Sequence, residues 1–152
     1  MKGFGIAILT FFFLQCGFGQ TLNPKFDSVL AKKLMADDYG MKKYVFVILK
    51  TGPNKTNDKS FIDSCFAGHF KNMGRLVDLK KLIVAGPFKK NQSEFRGLFI
   101  LNVPTLEEAQ QLLETDPAIH SGLLISESYL WYGSAALPEY LDESDKIWKS
   151  KP

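Results

Sequence analysis

Hydrophobic and polar residues follow two different periodicities along the chain. Four runs are rich in β-branched and aromatic residues, which is typical of strands; they cover residues 43–50, 83–88, 96–103 and 123–132. In residues 60–82 apolar positions recur every three or four residues, which predicts an amphipathic helix. A second helix is predicted to begin at Thr105, which has capping-box spacing to Glu108, and to end at Asp116 and Pro117, with a further turn before Gly122.

The order of these elements, β-α-β-β-α-β, predicts an α+β fold of the ferredoxin-like type. Its four strands would form one antiparallel sheet with the first and third strands in the middle and both helices on one face. The opposite face would stay open, and an exposed apolar face marks an interaction surface. We therefore expect a homodimer in which the open sheet faces of two copies pack together.

The first long helix carries a histidine on its apolar side. Helical steps from Ile62 reach Phe66, His69 and Met73, so the imidazole is expected to point into the fold. Burying a polar group without a hydrogen-bond partner costs about 2 kcal/mol or more. His69 is therefore predicted to have a partner, and the identity of that partner bears on function.

The first 19 residues are predicted to be a signal peptide. Lys2 precedes an apolar run at residues 4–14, and small residues stand at positions 17 and 19, so cleavage is expected before Gln20. The mature protein would then be periplasmic or secreted, and the run is too short to span a membrane. A lipid anchor on Cys16 is the alternative.

Two further segments flank the predicted sheet. Residues 20–42 are expected to form a leader with one short helix capped by Asp27. Residues 134–152 form a C-terminal tail whose Leu137, Leu141 and Trp148 make it too apolar for a plain linker.

Charge and motif content exclude several classes of function. The chain has 19 basic and 16 acidic residues, and its lysines are scattered in pairs, so we expect no nucleic-acid-binding surface. The sequence lacks a phosphate-binding loop, a dinucleotide fingerprint, a nucleophile elbow and a metal-ligand cluster, so neither a cofactor nor a metal is expected.

Short motifs occur in a fixed order between Tyr44 and Trp131. They are Gly68-His69-Phe70, Ala85-Gly86-Pro87-Phe88, Arg96-Gly97, Thr115-Asp116-Pro117, Gly122 and Trp131 itself. In this order and spacing the chain resembles the YCII-related (YciI-like) family of the dimeric α/β-barrel superfamily. The flanks at residues 36–40 and 132–137 resemble an exported subgroup. The resemblance implies a YCII-like domain over residues 43–133.

The resemblance also implies a His–Asp pair in a cleft, which by position is His69 and Asp116. Most members of the family lack a known substrate, and a few relatives catalyse dehydrochlorination or lactone and isomerase-type reactions on small ring compounds. A carboxylate bound to one ring nitrogen fixes the tautomer and leaves the other nitrogen as an acid or base. Two alternatives stay open: Asp116 before Pro117 also has the pattern of a helix N-cap, and His69 can be a core histidine bonded to a backbone carbonyl.

Four further residues are candidates for substrate binding. Arg96 can hold a substrate carboxylate through its two-pronged donor geometry, although an ordinary surface arginine is the simpler interpretation. Gly86 and Pro87 are expected to shape the floor of the cleft. Trp131 is expected to pack against the fold or to line the pocket.

Cys65 and His120 are weaker candidates. Cys65 is the single cysteine left after cleavage, which excludes an intramolecular disulfide, and it lies one helical turn before His69. A thiolate–imidazole pair or a metal site is conceivable there, but a small buried residue explains it. His120 is expected to be solvated.

Two hypotheses of different classes follow. In the first, the chain is an exported, cofactor-free enzyme in which His69 moves a proton on a small cyclic or carboxylated substrate, in an elimination or isomerisation, and Asp116 orients the ring and balances its charge. In the second, the same dimer is a non-catalytic accessory protein or a binder of an unidentified small ligand.

Overall fold

The computed structural model describes residues 23–149. The predicted signal peptide, its cleavage site before Gln20 and the alternative lipid anchor at Cys16 lie outside these residues and stay predictions. Among residues 23–149, no helix is both long enough and apolar enough to cross a membrane.

The described part of the chain contains one four-stranded antiparallel sheet with the strand order β2-β3-β1-β4. The strands are β1 (Met41–Thr51), β2 (Leu82–Pro87), β3 (Phe95–Leu101) and β4 (Leu124–Ser134). The helices are α1 (Ser28–Lys33), α2 (Lys59–Asp78), α3 (Leu106–Leu113), α4 (Pro117–His120) and α5 (Tyr140–Ile147), and a 3-10 turn covers Leu137–Glu139. The first and third strands lie in the middle of the sheet, so the ferredoxin-like α+β prediction is confirmed.

Side-chain caps set where the two long helices begin. The Asp58 carboxylate accepts a hydrogen bond from Phe61 N at 3.1 Å at the start of α2. The Thr105 hydroxyl accepts from Glu108 N at 3.2 Å at the start of α3, as its spacing predicts. The helix α2 ends earlier than predicted, because the chain turns through a left-handed residue, Lys80 with φ of 54°, and enters β2 directly afterwards.

Period-two alternation divides each strand between two faces of the sheet. On β1, Val45, Val47 and Leu49 face the helices and belong to a buried apolar cluster that also contains Leu76 of α2 and Leu113 of α3. This cluster fixes α2 and α3 on the same side of the sheet.

The opposite face is only partly open. At one end of it Tyr44 is fully buried; its hydroxyl donates to Ser134 O at 2.7 Å, and its ring packs on Trp131. The leader and the tail meet beside this end, where residues of both line a groove together with Lys42.

The rest of that face carries accessible apolar residues beside the ion pair of Lys50 with Glu127. Ile125 and Tyr129 are 42% and 50% exposed on β4, and Phe46 and Ile48 lie beside them on β1. The sequence predicted a completely uncovered face; the buried Tyr44 end shortens the available surface, and an apolar patch remains.

Candidate active site

A cavity of about 750 Å³ lies between α2 and the helix-covered face of the sheet, next to the loop that joins β1 to α2. Its walls include the aromatic rings of Phe66, Phe70 and Phe99. Its basic lining residues are Lys55, His69 and Arg96. Mostly apolar walls with a few convergent polar groups are typical of a small-molecule site.

His69 and Asp116 meet at the edge of this cavity. Nδ1 of His69 lies 2.7 Å from Oδ2 of Asp116, and the two residues are only 7% and 1% exposed. The other carboxylate oxygen, Oδ1, accepts hydrogen bonds from Ala118 N at 2.9 Å and Ile119 N at 3.3 Å. The same carboxylate therefore caps α4 and binds the imidazole, so the two roles considered for Asp116 coexist. The partner of His69 is a carboxylate and not a backbone carbonyl.

This geometry leaves one imidazole nitrogen without a hydrogen-bond partner among the described residues. The Asp116 carboxylate can only accept, so Nδ1 carries the proton that makes the bond. Within residues 23–149, no protein group forms a hydrogen bond with Nε2 of His69. Every side-chain nitrogen or oxygen there that is fully buried does have a hydrogen-bond partner, so Nε2 is not fully buried. Nε2 is therefore accessible to solvent, and His69 is one of the residues that line the cavity.

The charge of Asp116 is stabilised where it lies. Burial disfavours the ionised carboxylate, but the hydrogen bond and charge of His69 and the backbone N–H groups of Ile119 and Ala118 outweigh that effect. The pKa of Asp116 consequently lies below its ordinary value.

Three aromatic rings restrict the orientation of the imidazole. The ring of His69 stacks on Phe99 with centroids 6.0 Å apart and an angle of 21°. Phe66 and Phe70 contact it edge-on at 6.1 and 5.4 Å. The ring is thus held by packing on its faces and edges as well as by the hydrogen bond at Nδ1.

A close approach of α2 to α4 brings the pair together. A Cβ atom on Gly68 would lie 2.7 Å from Cγ of Pro117, so only glycine allows the present separation of the two helices. Gly68 directly precedes His69, and Pro117 directly follows Asp116. The contact is therefore next to the hydrogen-bonded pair and sets the distance between its backbones.

A polar network joins α2 to the turn before α4, one helical turn further along. Asn72 Oδ1 accepts from Arg75 Nε and Nη2 at 3.1 and 2.8 Å, and Arg75 Nη2 also donates to the Thr115 hydroxyl at 2.9 Å. Thr115 precedes Asp116, so the network fixes the backbone that carries the carboxylate. Asn72 and Arg75 were not predicted from the sequence, although Asn72 lies three residues after His69 and Arg75 three residues after Asn72, so that each is a helix neighbour of the one before.

A β-bulge directs Arg96 into the cavity. Leu49 pairs with Gly97 and Lys50 pairs with Phe95, so Arg96 has no partner on β1. The extra residue reverses the alternation, which a bulge does next to many functional sites. Arg96 Nε then donates to the Thr51 hydroxyl at 2.8 Å, and Arg96 lines the cavity together with the predicted floor residues Gly86 and Pro87.

Trp131 does not line the cavity, which corrects the idea that it contacts a substrate there. It pairs with Tyr44, whose side chain lies on the open face of the sheet, and its ring packs over Gly133 on that same face. The alternation of β4 places Leu124 on the cavity side and Trp131, seven residues later, on the other side.

The loop after β1 supplies a wall that the sequence analysis treated only as a polar connection. Gly52 N donates to Leu123 O at 2.8 Å, and Asn54 Nδ2 donates to Ser121 O at 2.9 Å. A Cβ atom on Gly52 would lie 2.0 Å from Gly122 O. These contacts fix the loop against the turn before β4 and bring Lys55 to the cavity.

Cys65 is buried, as expected, but does not line the cavity. His120 is solvent-exposed. Among the residues that the structure describes, no three side chains of the metal-binding types cluster.

Replacing Gly68 by alanine should destabilise the protein, whereas the same change at Gly74 of the same helix should stabilise it. Nothing lies within 4 Å of a Cβ atom on Gly74, so the gain in helix propensity of about 0.5–1 kcal/mol is expected in full. At Gly68 the new methyl group must displace Pro117, which should cost about 1–3 kcal/mol. Urea unfolding of both variants tests this, and equal stabilisation would show that the helix contact does not constrain the pair.

Replacing Asp116 by asparagine should change how stability depends on pH. Because the pKa of Asp116 is lowered on folding, its charge contributes stability above the unfolded pKa of about 3.9, and that contribution is lost as the pH falls toward the folded value. The variant should lose about 1–3 kcal/mol near neutral pH, and its difference from the wild type should shrink below about pH 4.

Urea unfolding across this pH range measures the effect of Asp116→Asn. The exposed Asp63 is a matched control, because its ion pair with Lys59 on the surface of α2 should contribute only about 0.5 kcal/mol or less. A difference between Asp116→Asn and wild type that stays constant with pH would contradict a stabilising role for the charge of Asp116.

No curated protein matches the chain. One solved structure that matches the chain is the 5-chloro-2-hydroxyhydroquinone dehydrochlorinase of Burkholderia phenoliruptrix AC1100 in complex with 2,5-dihydroxybenzoquinone, with a TM-score of 0.42 and 20% identity over 57% of this chain and 92% of that chain. The YCII-related domain matches residues 43–129, which include His69, Arg96 and Asp116. The chain belongs to the YCII-related family.

Proposed function

We propose that this chain is an enzyme that uses the His69–Asp116 pair for general acid–base catalysis on a small cyclic or carboxylated substrate. The observation that carries the proposal is the 2.7 Å bond between Nδ1 and the buried carboxylate, which leaves Nε2 as the unbonded ring nitrogen of a histidine that lines the cavity. A histidine with one nitrogen oriented and the other free is arranged for proton transfer.

Each member of the pair has a separate role in this proposal. Nε2 of His69 accepts a proton from a substrate carbon and returns it elsewhere on the substrate in an isomerisation, or the electron pair of the broken C–H bond expels a leaving group in an elimination. Asp116 stays ionised, since its pKa is lowered, and balances the charge of the imidazolium. It acts through His69 and does not touch the substrate.

The cavity suits a substrate of one or two rings. Its volume of about 750 Å³ falls within the range of about 300–1,000 Å³ that is usual for ligand sites. Phe66 and Phe99 offer flat apolar surfaces beside the imidazole. Arg96 is proposed to contact a polar group of the substrate, and Gly86 and Pro87 to form the floor beneath it.

We also propose that two copies associate through the apolar patch of Phe46, Ile48, Ile125 and Tyr129. These residues lie on the sheet face that no helix of the α2–α3 layer covers, and partly exposed apolar residues on such a face favour a self-complementary contact. The cavity lies on the other side of the sheet, so the two proposals can be tested separately.

Replacing His69 by glutamine should remove catalysis while leaving the fold intact. A panel of small ring ketones, lactones and ring carboxylates can be incubated in D₂O and followed by NMR for C–H to C–D exchange and for elimination products. For any compound that the wild type processes, His69→Gln should lower the rate by about 10²–10⁴-fold, because a positioned general base contributes about that much. Asp116→Asn should lower it less.

His120→Gln is the matched control, since His120 is the second histidine of the chain and is exposed. Its rate should equal that of the wild type. If the wild type processes no compound and a cavity ligand binds equally well to His69→Gln, the catalytic proposal is wrong and the chain is a binding protein.

Replacing Tyr129 by glutamate should convert a dimer into a monomer, because it places a charge in the middle of the proposed contact. Light scattering after size-exclusion chromatography measures the mass in solution. Tyr39→Glu is the control, as Tyr39 is 76% exposed in the leader and away from the patch. A monomeric wild type, or a Tyr129→Glu variant that stays dimeric, would refute this interface.

A further inference from the structure

The charged side chains that line the cavity have the same sign. Among residues 23–149 they are Lys55 and Arg96, and no aspartate or glutamate lines the cavity. Asp116 lies behind His69, where its charge is taken up by the imidazole and two backbone N–H groups. A ligand in the cavity therefore meets cationic side chains without a competing acidic one.

Lys55 and Arg96 are anchored at adjacent residues. Arg96 Nε donates to the Thr51 hydroxyl at 2.8 Å, and Lys55 Nζ donates to Gly52 O at 2.9 Å. Thr51 and Gly52 are consecutive in the chain, so both cations lie at one corner of the cavity. We call this the cation corner.

Both cations retain unused hydrogen-bond donors. In the described residues the guanidinium of Arg96 bonds only through Nε, which leaves both Nη groups, and Lys55 uses one of its three donors. Neither forms an ion pair there with a carboxylate of the protein. Lys50, which points to the other sheet face, is by contrast paired with Glu127 at 2.6 Å. Unpaired cations at a concave surface raise the local concentration of anions.

The β-bulge shows how the sequence builds this corner. If β3 paired with β1 without this bulge, regular alternation would place the Arg96 side chain on the open face of the sheet, together with Leu98. The fixed loop after β1 brings Lys55 to the same place through the close contact of Gly52 with Gly122. The β-bulge positions Arg96, and the contact of Gly52 with Gly122 positions Lys55, so both cations lie at one site.

We propose that the cation corner binds the carboxylate of an aromatic or similarly flat ring compound, so that the substrate class is a small ring carboxylate. The Nη groups of Arg96 and the ammonium of Lys55 bind the carboxylate oxygens, and the ring lies against the aromatic wall of Phe66 and Phe99 beside Nε2 of His69. The inference rests on the proposed function for the reaction but adds Lys55 and makes the negative charge a requirement.

Benzoate and benzamide test this inference as probes of equal size that differ in charge. The dissociation constant of each is measured with the full-length mature chain from changes in amide NMR signals of cavity residues. Benzoate should bind the wild type at least about tenfold more tightly than benzamide, because one charge-assisted hydrogen bond is worth roughly that factor. The preference should weaken as ionic strength rises.

Variants that remove or keep each positive charge show which residues produce the preference for benzoate over benzamide. Lys55→Gln and Arg96→Gln should each weaken benzoate binding by about tenfold and leave benzamide binding unchanged. Lys55→Arg and Arg96→Lys should retain most of the preference. Lys90→Gln removes an exposed lysine that does not line the cavity and should change neither affinity.

Equal binding of the two probes, failure of both to bind, or unchanged benzoate binding in Lys55→Gln and Arg96→Gln would each overturn the cation corner as a carboxylate site. None of these results bears on proton transfer by His69, which the exchange assay measures. Conversely, if the His69→Gln variant prefers benzoate over benzamide as strongly as the wild type does, that result supports the cation corner independently of catalysis.

Discussion

The hydrogen bond between His69 and Asp116 is the interaction on which the rest of the site depends. A carboxylate that is 1% exposed must compensate its lost hydration, and Asp116 does so with two backbone N–H groups on Oδ1 and the imidazole on Oδ2. One side chain therefore starts the helix α4, fixes the tautomer of His69 and supports the imidazole at the edge of the cavity. A change at any of these three places is expected to affect the other two.

The surroundings show how such an exact placement is achieved between helices distant in sequence. Gly68 lets α2 approach Pro117, and the network of Asn72, Arg75 and Thr115 fixes the backbone just before the carboxylate. The aromatic rings then hold the imidazole from other directions. Because most of these supports lie on α2, α4 and β3, and Thr115 lies in the short turn between α3 and α4, the pair is preorganised before any ligand enters, which is what acid–base chemistry requires.

The sequence predicted the elements and the pair but not the details that give the cavity its chemistry. The periodicity of apolar residues was sufficient to predict the order β-α-β-β-α-β, because apolar residues recur at clearly different spacings in strands and in helices. His69 and Asp116 came from their motifs together with the position of His69 on an apolar helix face.

The direction of Arg96 depends on a bulge, which is a property of the pairing of β3 with β1 and has no local signal. The face of Trp131, in contrast, follows from its odd offset from Leu124 and was available from alternation. The meeting of leader and tail, which includes the ion pair of Lys33 with Glu139, involves contacts between the two ends of the described chain, and no local pattern predicts those.

The most direct test of the account is the protonation of the two ring nitrogens of His69, measured by ¹⁵N NMR of the neutral imidazole in wild type and in Asp116→Asn. The account predicts that in the wild type the proton is on Nδ1 and that Nε2 is unprotonated, and that the Asp116→Asn variant loses this fixed preference. A wild-type ring with its proton on Nε2, or a tautomer ratio that Asp116→Asn leaves unchanged, would contradict the claim that the buried carboxylate orients His69 for proton transfer.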